Sequence, residues 1–333
     1  MLISVKHFIS ITMVLAILLS SCSSAESPVL TSQTIIVYSA LQGGNNVVAQ
    51  IFAKGTIRAV DVNGNEKALP VTLNKDSWHS EMTWSPNKTW LAFSTAYENA
   101  VAGGNSDIFI SSWPDQKQII QITTDATNDI HPSWSPDGVQ LVYESNGIFT
   151  VKVDCFMLSQ KCNTSPIFIT NGSEPVWSPD GKYIAYNGWP DLVNKGKILV
   201  VKLQYPDVFL QISPNDEYCH RPQWSPDGTR LIFDCNKGLY VVNSDGSNLK
   251  LIADGADAKW SPDGRLIAFI GGKSLESHLG QSVGLGTFDS PAQLSTALFT
   301  IQPDGNYLRR ITSDNYQSIA QFFWITPEMI SVP

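Results

Sequence analysis

Side chains able to do acid–base or metal chemistry recur three residues ahead of a set of tryptophans: Glu81, His131, Glu174, Arg221, Asp257 and Gln321. His220 adjoins Arg221, and His79 lies close to Glu81. Carboxylates and imidazoles brought to one place can hold a divalent cation such as calcium, or can serve as acid and base on a bound substrate. Positions so far apart in sequence converge only if the chain repeats one structural unit around a common axis. A water-filled pore through such an array also gathers polar side chains, and this plainer reading competes with the chemical one.

Two other stretches imitate active sites. Gly280-Gln281-Ser282-Val283-Gly284 has the spacing of a hydrolase nucleophile elbow, which needs a strand-to-helix turn and a downstream acid and histidine. It lies instead in a Gly/Ser-rich stretch, and no histidine follows His278. Asp61-Val62-Asn63-Gly64-Asn65-Glu66 resembles a calcium loop only loosely, lacks the helix–loop–helix spacing, and reads as a turn. The sequence therefore assigns no catalytic residue, no resident cofactor and no metal-ligand set, with calcium at the pore the one ion that would suit it.

The elements that position the polar set are announced by a repeated phrase. Trp-Ser-Pro-Asp-Gly or a close variant begins at Trp84, Trp134, Trp177, Trp224 and Trp260, and a worn copy begins at Trp324. Successive steps of 50, 43, 47, 36 and 64 residues fit a unit of four short strands. Pro presets φ in the turn, Asp bonds back to the backbone, and Gly takes a positive φ. An apolar strand follows each turn, as in Leu141-Val142-Tyr143 and Leu231-Ile232-Phe233. Third strands are expected at Ile57–Val62, Ile108–Ser112, Ile148–Val153, Ile198–Leu203, Leu239–Val242 and Leu298–Ile301. Fourth strands close on Ile-Thr or a similar pair, as at Ile120–Thr123, Ile167–Thr170 and Ile311-Thr312. The repeat tryptophans are expected to pack between blades rather than to bind ligand.

These residues resemble the TolB-like β-propeller repeat, a WSPDG core followed by an apolar strand, a further strand and a second turn. The resemblance covers residues 34–333 and implies an all-β, six-bladed propeller of four-stranded antiparallel blades. Thr34–Ala40, Ile57–Val62 and Ala68–Thr72 supply three strands of a first blade, and Gln321–Trp324 can supply the missing one. That pairing of chain ends would close the ring and leave no open edge in it. Ile330–Val332 has no place in the scheme. Lactonase-type propellers, which are similar in blade number, hold calcium at the pore mouth, and this is what a resemblance to them would imply for the polar set.

Residues 1–21 read as an export signal: Lys6 precedes an apolar stretch from Ile9 to Leu19, too short to span a bilayer comfortably. Leu19-Ser20-Ser21-Cys22 resembles a bacterial lipobox, in which Cys22 becomes the lipidated N-terminus, and residues 22–33 form a linker. The expected location is extracytoplasmic, on the periplasmic side or the cell surface, with contact to the membrane through the lipid. The other four cysteines suit an oxidising space. Cys219 and Cys235 flank a Pro-Asp-Gly turn symmetrically, and Cys155 and Cys162 close a short loop, so two disulfides are expected. A net charge of −8 without basic runs excludes nucleic acid as a natural partner.

Function is expected on one face. The Ser-Pro-Asp-Gly turns and the 3–4 turns share a face of short connections. The opposite face carries the pore mouth and long 2–3 loops at Leu41–Gly55, Thr95–Ser106, Asn187–Lys197 and Gly271–Thr296. The resulting expectation is a monomeric, membrane-anchored scaffold that docks an envelope protein, a peptide or a glycan. The resemblance implies a propeller of the kind that in one member of the family binds an envelope lipoprotein, without carrying that partner over to this chain. The family's additional N-terminal α/β domain has no room between Cys22 and the first strand. The competing expectation is a calcium-assisted, lactonase-like hydrolase in the channel.

Overall fold

The computed structural model describes residues 35–41, 56–67, 82–95, 105–113, 117–153, 165–188, 196–272, 297–312 and 318–326. Every regular element among them is a β-strand. β1 (Ile35–Leu41), β2 (Thr56–Asp61) and β3 (Glu66–Lys67) lie side by side. The next blade runs β4 (Thr83–Trp84), β5 (Trp90–Thr95), β6 (Asp107–Ser112) and β7 (Ile119–Gln121). Another runs β8 (Ile130–Trp134), β9 (Gln140–Ser145), β10 (Gly147–Lys152) and β11 (Ile167–Thr170). It is followed by β12 (Ser173–Trp177), β13 (Tyr183–Gly188), β14 (Lys197–Lys202) and β15 (Tyr205–Gln211). Then come β16 (Cys219–Trp224), β17 (Arg230–Cys235), β18 (Gly238–Asn243) and β19 (Lys250–Ala253). β20 (Ala256–Trp260), β21 (Ile267–Gly271), β22 (Ala297–Ile301) and β23 (Arg309–Arg310) complete the series. The last strand, β24 (Ser318–Ile325), returns to pair antiparallel with β1, setting Ile36 opposite Trp324. The architecture is an all-β propeller of four-stranded antiparallel blades.

The repeated turn builds each hairpin by hydrogen bonds internal to the motif. In the fourth copy Gly228 N–H donates to the Ser225 carbonyl at 2.8 Å, and Gly228 has φ of 69°. Ser225 Oγ donates to Asp227 Oδ1 at 2.6 Å, while the Thr229 N–H donates to the same oxygen at 3.0 Å. The hydroxyl also accepts from the Arg230 N–H at 2.9 Å, so the buried serine joins both sides of the turn. The Ile-Thr ending has an equally local cause. Thr123 Oγ1 accepts from the Ile108 N–H at 2.9 Å and Thr312 Oγ1 from the Leu298 N–H at 3.0 Å, satisfying the start of the third strand where the fourth has ended.

The outer strand of the first blade begins at Glu66–Lys67, because the turn at Asn63-Gly64 is tight and pairing resumes at once. Asp61 Oδ1 accepts from the Asn63 and Asn65 N–H groups at 2.8 and 3.0 Å. Burial opposes ionisation there, but these bonds and those from the Asn65 and Lys67 side chains hold the carboxyl at about 2. The apparent calcium loop is thus a turn whose own backbone and side chains satisfy its carboxylate. The Gly280–Gly284 elbow, Ala68–Thr72 and Ile330–Val332 lie outside the described residues.

Packing explains why the second and third strands are apolar without alternation. Leu141 and Tyr143 of β9 pack with Ala92, Ile108 and Ile110 of the preceding blade, while Val142 packs with Ile184, Tyr186 and Leu199 of the following one. Each blade buries both faces, so both sets of alternating side chains must be apolar.

The repeat tryptophans join blades by a recurring bond. Trp134 Nε1 donates to the Thr83 carbonyl at 3.1 Å, Trp224 to Val176 at 3.3 Å, Trp260 to Gln223 at 3.2 Å and Trp324 to Lys259 at 3.1 Å. In each case the acceptor is the residue just before the preceding blade's own tryptophan. Trp84 instead sets its ring edge-on to Phe323 and Trp113, at 5.4 and 5.6 Å. The indole N–H of Trp177 is buried without an acceptor among the described residues. Trp260→Phe should therefore cost about 1–2 kcal/mol, the lost bond plus lost packing, and Trp177→Phe about 1 kcal/mol less. Denaturant midpoints of the two variants measure the difference, and equal losses would show that the indole bond adds nothing.

Candidate functional site

A channel of 740 Å³ runs along the innermost strands, from Pro226 and Pro262 of the repeated turns to His131, Glu174, Arg221 and Asp257. The last four are the residues three positions before their tryptophans. All four have left-handed backbone, with φ between 52° and 53°. A non-glycine residue there carries backbone strain on the order of 1 kcal/mol or more. The cause is a β-bulge at the same place in each inner strand. Ile130 faces Glu144 but Ser133 faces Val142, so three steps on β8 oppose two on β9. The same irregularity falls between Ser173 and Val176, His220 and Gln223, and Ala256 and Lys259. Pro132, Pro175 and Pro222 follow the left-handed residue, on an inner strand with no further neighbour to receive an N–H.

Carboxylates from neighbouring blades hold these bulges. Glu144 Oε2 accepts from His131 Nδ1 at 2.7 Å and from the Glu174 N–H, one blade on, at 3.0 Å. Glu174 Oε2 in turn accepts from the Arg221 N–H at 2.6 Å. Asp234 Oδ2 accepts from Arg221 Nη1 at 3.0 Å and from the Asp257 N–H of the next blade at 2.8 Å. The rim of the channel is therefore a chain of carboxylate-to-backbone bonds that crosses three blade junctions. Asp234 is 2% exposed and its Oδ1 has no partner among the described residues. Burial dominates its titration and pushes the carboxyl up to about 7 against the opposing pull of the Asp257 N–H and the Arg221 guanidinium. His220 is held below its ordinary value, first by burial and then by the adjacent guanidinium.

A hollow of 260 Å³ opens beside the channel mouth, lined by His131, Glu144, Glu174, Asn187, Tyr218 and His220, with Ser173. Among the described residues no three His, Cys, Asp or Glu side chains are grouped so as to hold a metal ion.

Of the residues singled out from sequence, the fold brings His131, Glu174, Arg221 and Asp257 to one rim, with His220 in the adjoining hollow. Gln321 lies on β24 opposite Ser39, beside a register shift in the pairing of β24 with β1. Glu81, Cys22, Cys155 and Cys162 lie outside the described residues, as do most of the four long loops. Cys219 and Cys235 face each other across β16 and β17 and form a disulfide. Glu144, Asn187 and Asp234 escaped sequence reasoning although a signal was present. They stand ten residues after their repeat tryptophans, where Ser94 and Ile270 stand in two other copies, at the end of a strand otherwise apolar. An exposed apolar strip on the outer strands was also missed: Ile167 and Phe168 of β11, with Val208, Phe209 and Leu210 of β15.

No family model matches the chain, and no curated protein does. The chain is similar in structure to a protein described as a putative TolB from Agrobacterium tumefaciens, at 16% identity and a TM-score of 0.52, over 84% of this chain and 88% of the other. TolB from Acinetobacter baumannii aligns at 14% identity and a TM-score of 0.50, over 83% and 74%. A chain of a nidogen/laminin complex aligns at 8% identity and a TM-score of 0.55, over 87% and 98%. At these identities the likeness is one of fold. The chain shares the β-propeller fold of the TolB structures.

The buried Asp234 gives the site a pH signature. Its proton is held more tightly in the folded than in the unfolded chain, so folding takes up a proton between about pH 4 and pH 7. Its contribution to stability is present below pH 4 and is lost as pH rises through 7. Asp234→Asn should flatten the fall in melting temperature between pH 4 and pH 7 relative to the unmodified protein. Parallel melting curves across that range would show Asp234 ionised throughout.

Proposed function

We propose that the protein is a six-bladed, closed-ring propeller, lipid-anchored through Cys22 on the extracytoplasmic side of a bacterial membrane. It acts there as a docking scaffold for a protein, a peptide or a glycan. The observation that carries the binding reading is the use made of the rim carboxylates. Glu144, Glu174 and Asp234 accept backbone N–H groups of the following blade, which fixes the rim instead of readying it for proton transfer. What remains is a rigid, open channel mouth whose blades present different side chains on one backbone plan, a surface suited to recognition. The hydrolase alternative would need ligands from outside this set.

Further features support the remaining parts of the reading. Pairing of β1 with β24 favours a ring held by its own chain ends. The Cys219–Cys235 disulfide favours an oxidising compartment, in line with an export signal and a lipobox. The described strand ends that bound the 2–3 connections lie on the side of the channel mouth, opposite the short Ser-Pro-Asp-Gly turns, and this supports reading that face as the one for a partner.

Crosslinking capture from native membranes tests the docking face. Replacing residues 271–296 by a short Gly/Ser connection should leave the melting temperature within a few degrees and abolish capture. Capture that survives removal of the 41–55, 95–106 and 271–296 loops together would overturn the reading and direct attention to the exposed apolar strip on β11 and β15.

A further inference from the structure

The hollow beside the channel mouth has the chemistry of a receptor for one basic side chain. Resting on the docking reading above, we propose that it binds an organic cation, the ammonium or guanidinium group of a lysine or arginine carried by the docked partner.

Its walls supply acceptors and negative charge. Glu144 and Glu174 each bond through Oε2 alone among the described residues, leaving both Oε1 atoms as acceptors for a ligand. Asn187 is 3% exposed and lines the hollow, and its Oδ1 has no hydrogen-bond partner among the described residues. A buried amide oxygen without a donor is costly, and a ligand N–H brought to it by a small side-chain adjustment would satisfy it. No lysine or arginine is among the lining residues. The nearest guanidinium, Arg221, is directed to Asp234. His220, held below its ordinary value by burial and by Arg221, adds no positive charge near neutral pH.

An aromatic face completes the receptor. Tyr218 is 47% exposed, and its ring lies against Gly196, where an added Cβ would come within 2.2 Å of it. Gly196 has φ of +74°, so both its conformation and the contact favour glycine, which lets the ring sit close to the backbone as one wall of the hollow. A cation within about 6 Å of such a ring is attracted by its quadrupole. The volume of 260 Å³ falls below the roughly 300–1,000 Å³ usual for small-molecule pockets, which suits one extended side chain and not an oligosaccharide. A bare metal ion is less well served, since the ionisable side chains are not grouped for coordination among the described residues.

Calorimetric titration of the full-length protein in detergent with Nα-acetyl-argininamide and Nα-acetyl-lysinamide tests the proposal without any partner present. At least one of the two should bind, and their neutral counterparts, the citrulline and norleucine amides, should not. The double variant Glu144→Gln/Glu174→Gln keeps an acceptor for each backbone N–H but removes the charge. It should weaken binding about tenfold or more, while its far-ultraviolet circular dichroism stays that of the unmodified protein even if the melting temperature falls by a few degrees. Tyr218→Phe should bind as before, and Tyr218→Leu several-fold more weakly. Equal binding of the neutral amides, no binding of either cation, or indifference to the glutamine variant would overturn the proposal. So would a glutamate-dependent heat on titrating Ca2+ alone that blocks the amides. If partner capture depends on the loops while the cations fail to bind, this inference falls and the docking face stands. If the cations bind while capture ignores the loops, the reverse holds.

Discussion

Every feature of this molecule depends on one constraint: each blade is a four-stranded sheet that buries both of its faces against neighbours. A single blade exposes two apolar surfaces and is unstable alone, so the blades must stack. Stacking then asks for a means of setting the distance and tilt between sheets. The indole of each repeat tryptophan answers for several junctions, reaching back to the backbone carbonyl that precedes the previous blade's tryptophan. The bond joins repeat to repeat at equivalent points, and the apolar residues of the second and third strands fill the space it sets.

At the channel mouth the same need is met by polar groups. The innermost strands β8, β12, β16 and β20 bulge, and the bulge turns one residue of each into the left-handed region. The N–H groups of three of these residues, Glu174, Arg221 and Asp257, are received by a carboxylate of the previous blade. Where Asn187 stands in place of an acidic residue, Glu174 takes over as acceptor for the next N–H. The rim tolerates this exchange of roles because what recurs at the three junctions is the backbone donor. Strain at the bulge is offset by a charge-assisted bond, and side chains at the rim are free to differ in charge from blade to blade.

Such a surface combines rigidity with variety. The turn face is alike in the copies at Trp134, Trp177, Trp224 and Trp260, since Ser, Asp and Gly are all engaged within the hairpin. The mouth face presents His131, Glu174, Arg221 and Asp257 on one backbone scheme, and beside them a hollow that gathers side chains from several blades. Recognition belongs where the repeat is least repetitive.

The repeat made most of the fold legible. Trp-Ser-Pro-Asp-Gly encodes a turn through local bonds alone, and the third strands fall within a residue or so of the positions read from sequence, because uninterrupted apolar runs between turns have no other home. The pairing of Cys219 with Cys235 followed from symmetry about one turn. The start of the first blade's outer strand at Glu66-Lys67 was not marked in sequence, since two polar residues after a tight turn carry too little pattern. Position in the chain likewise placed the candidate rim residues three before each tryptophan. What sequence could not give was their engagement. That Glu144 and Asp234 reach across blades, that the Asn187 Oδ1 finds no donor among the described residues, and that Tyr218 rests on Gly196 are consequences of how far one sheet stands from the next. Hairpins are set by neighbours in sequence, whereas a site assembled from three blades is set by packing between sheets.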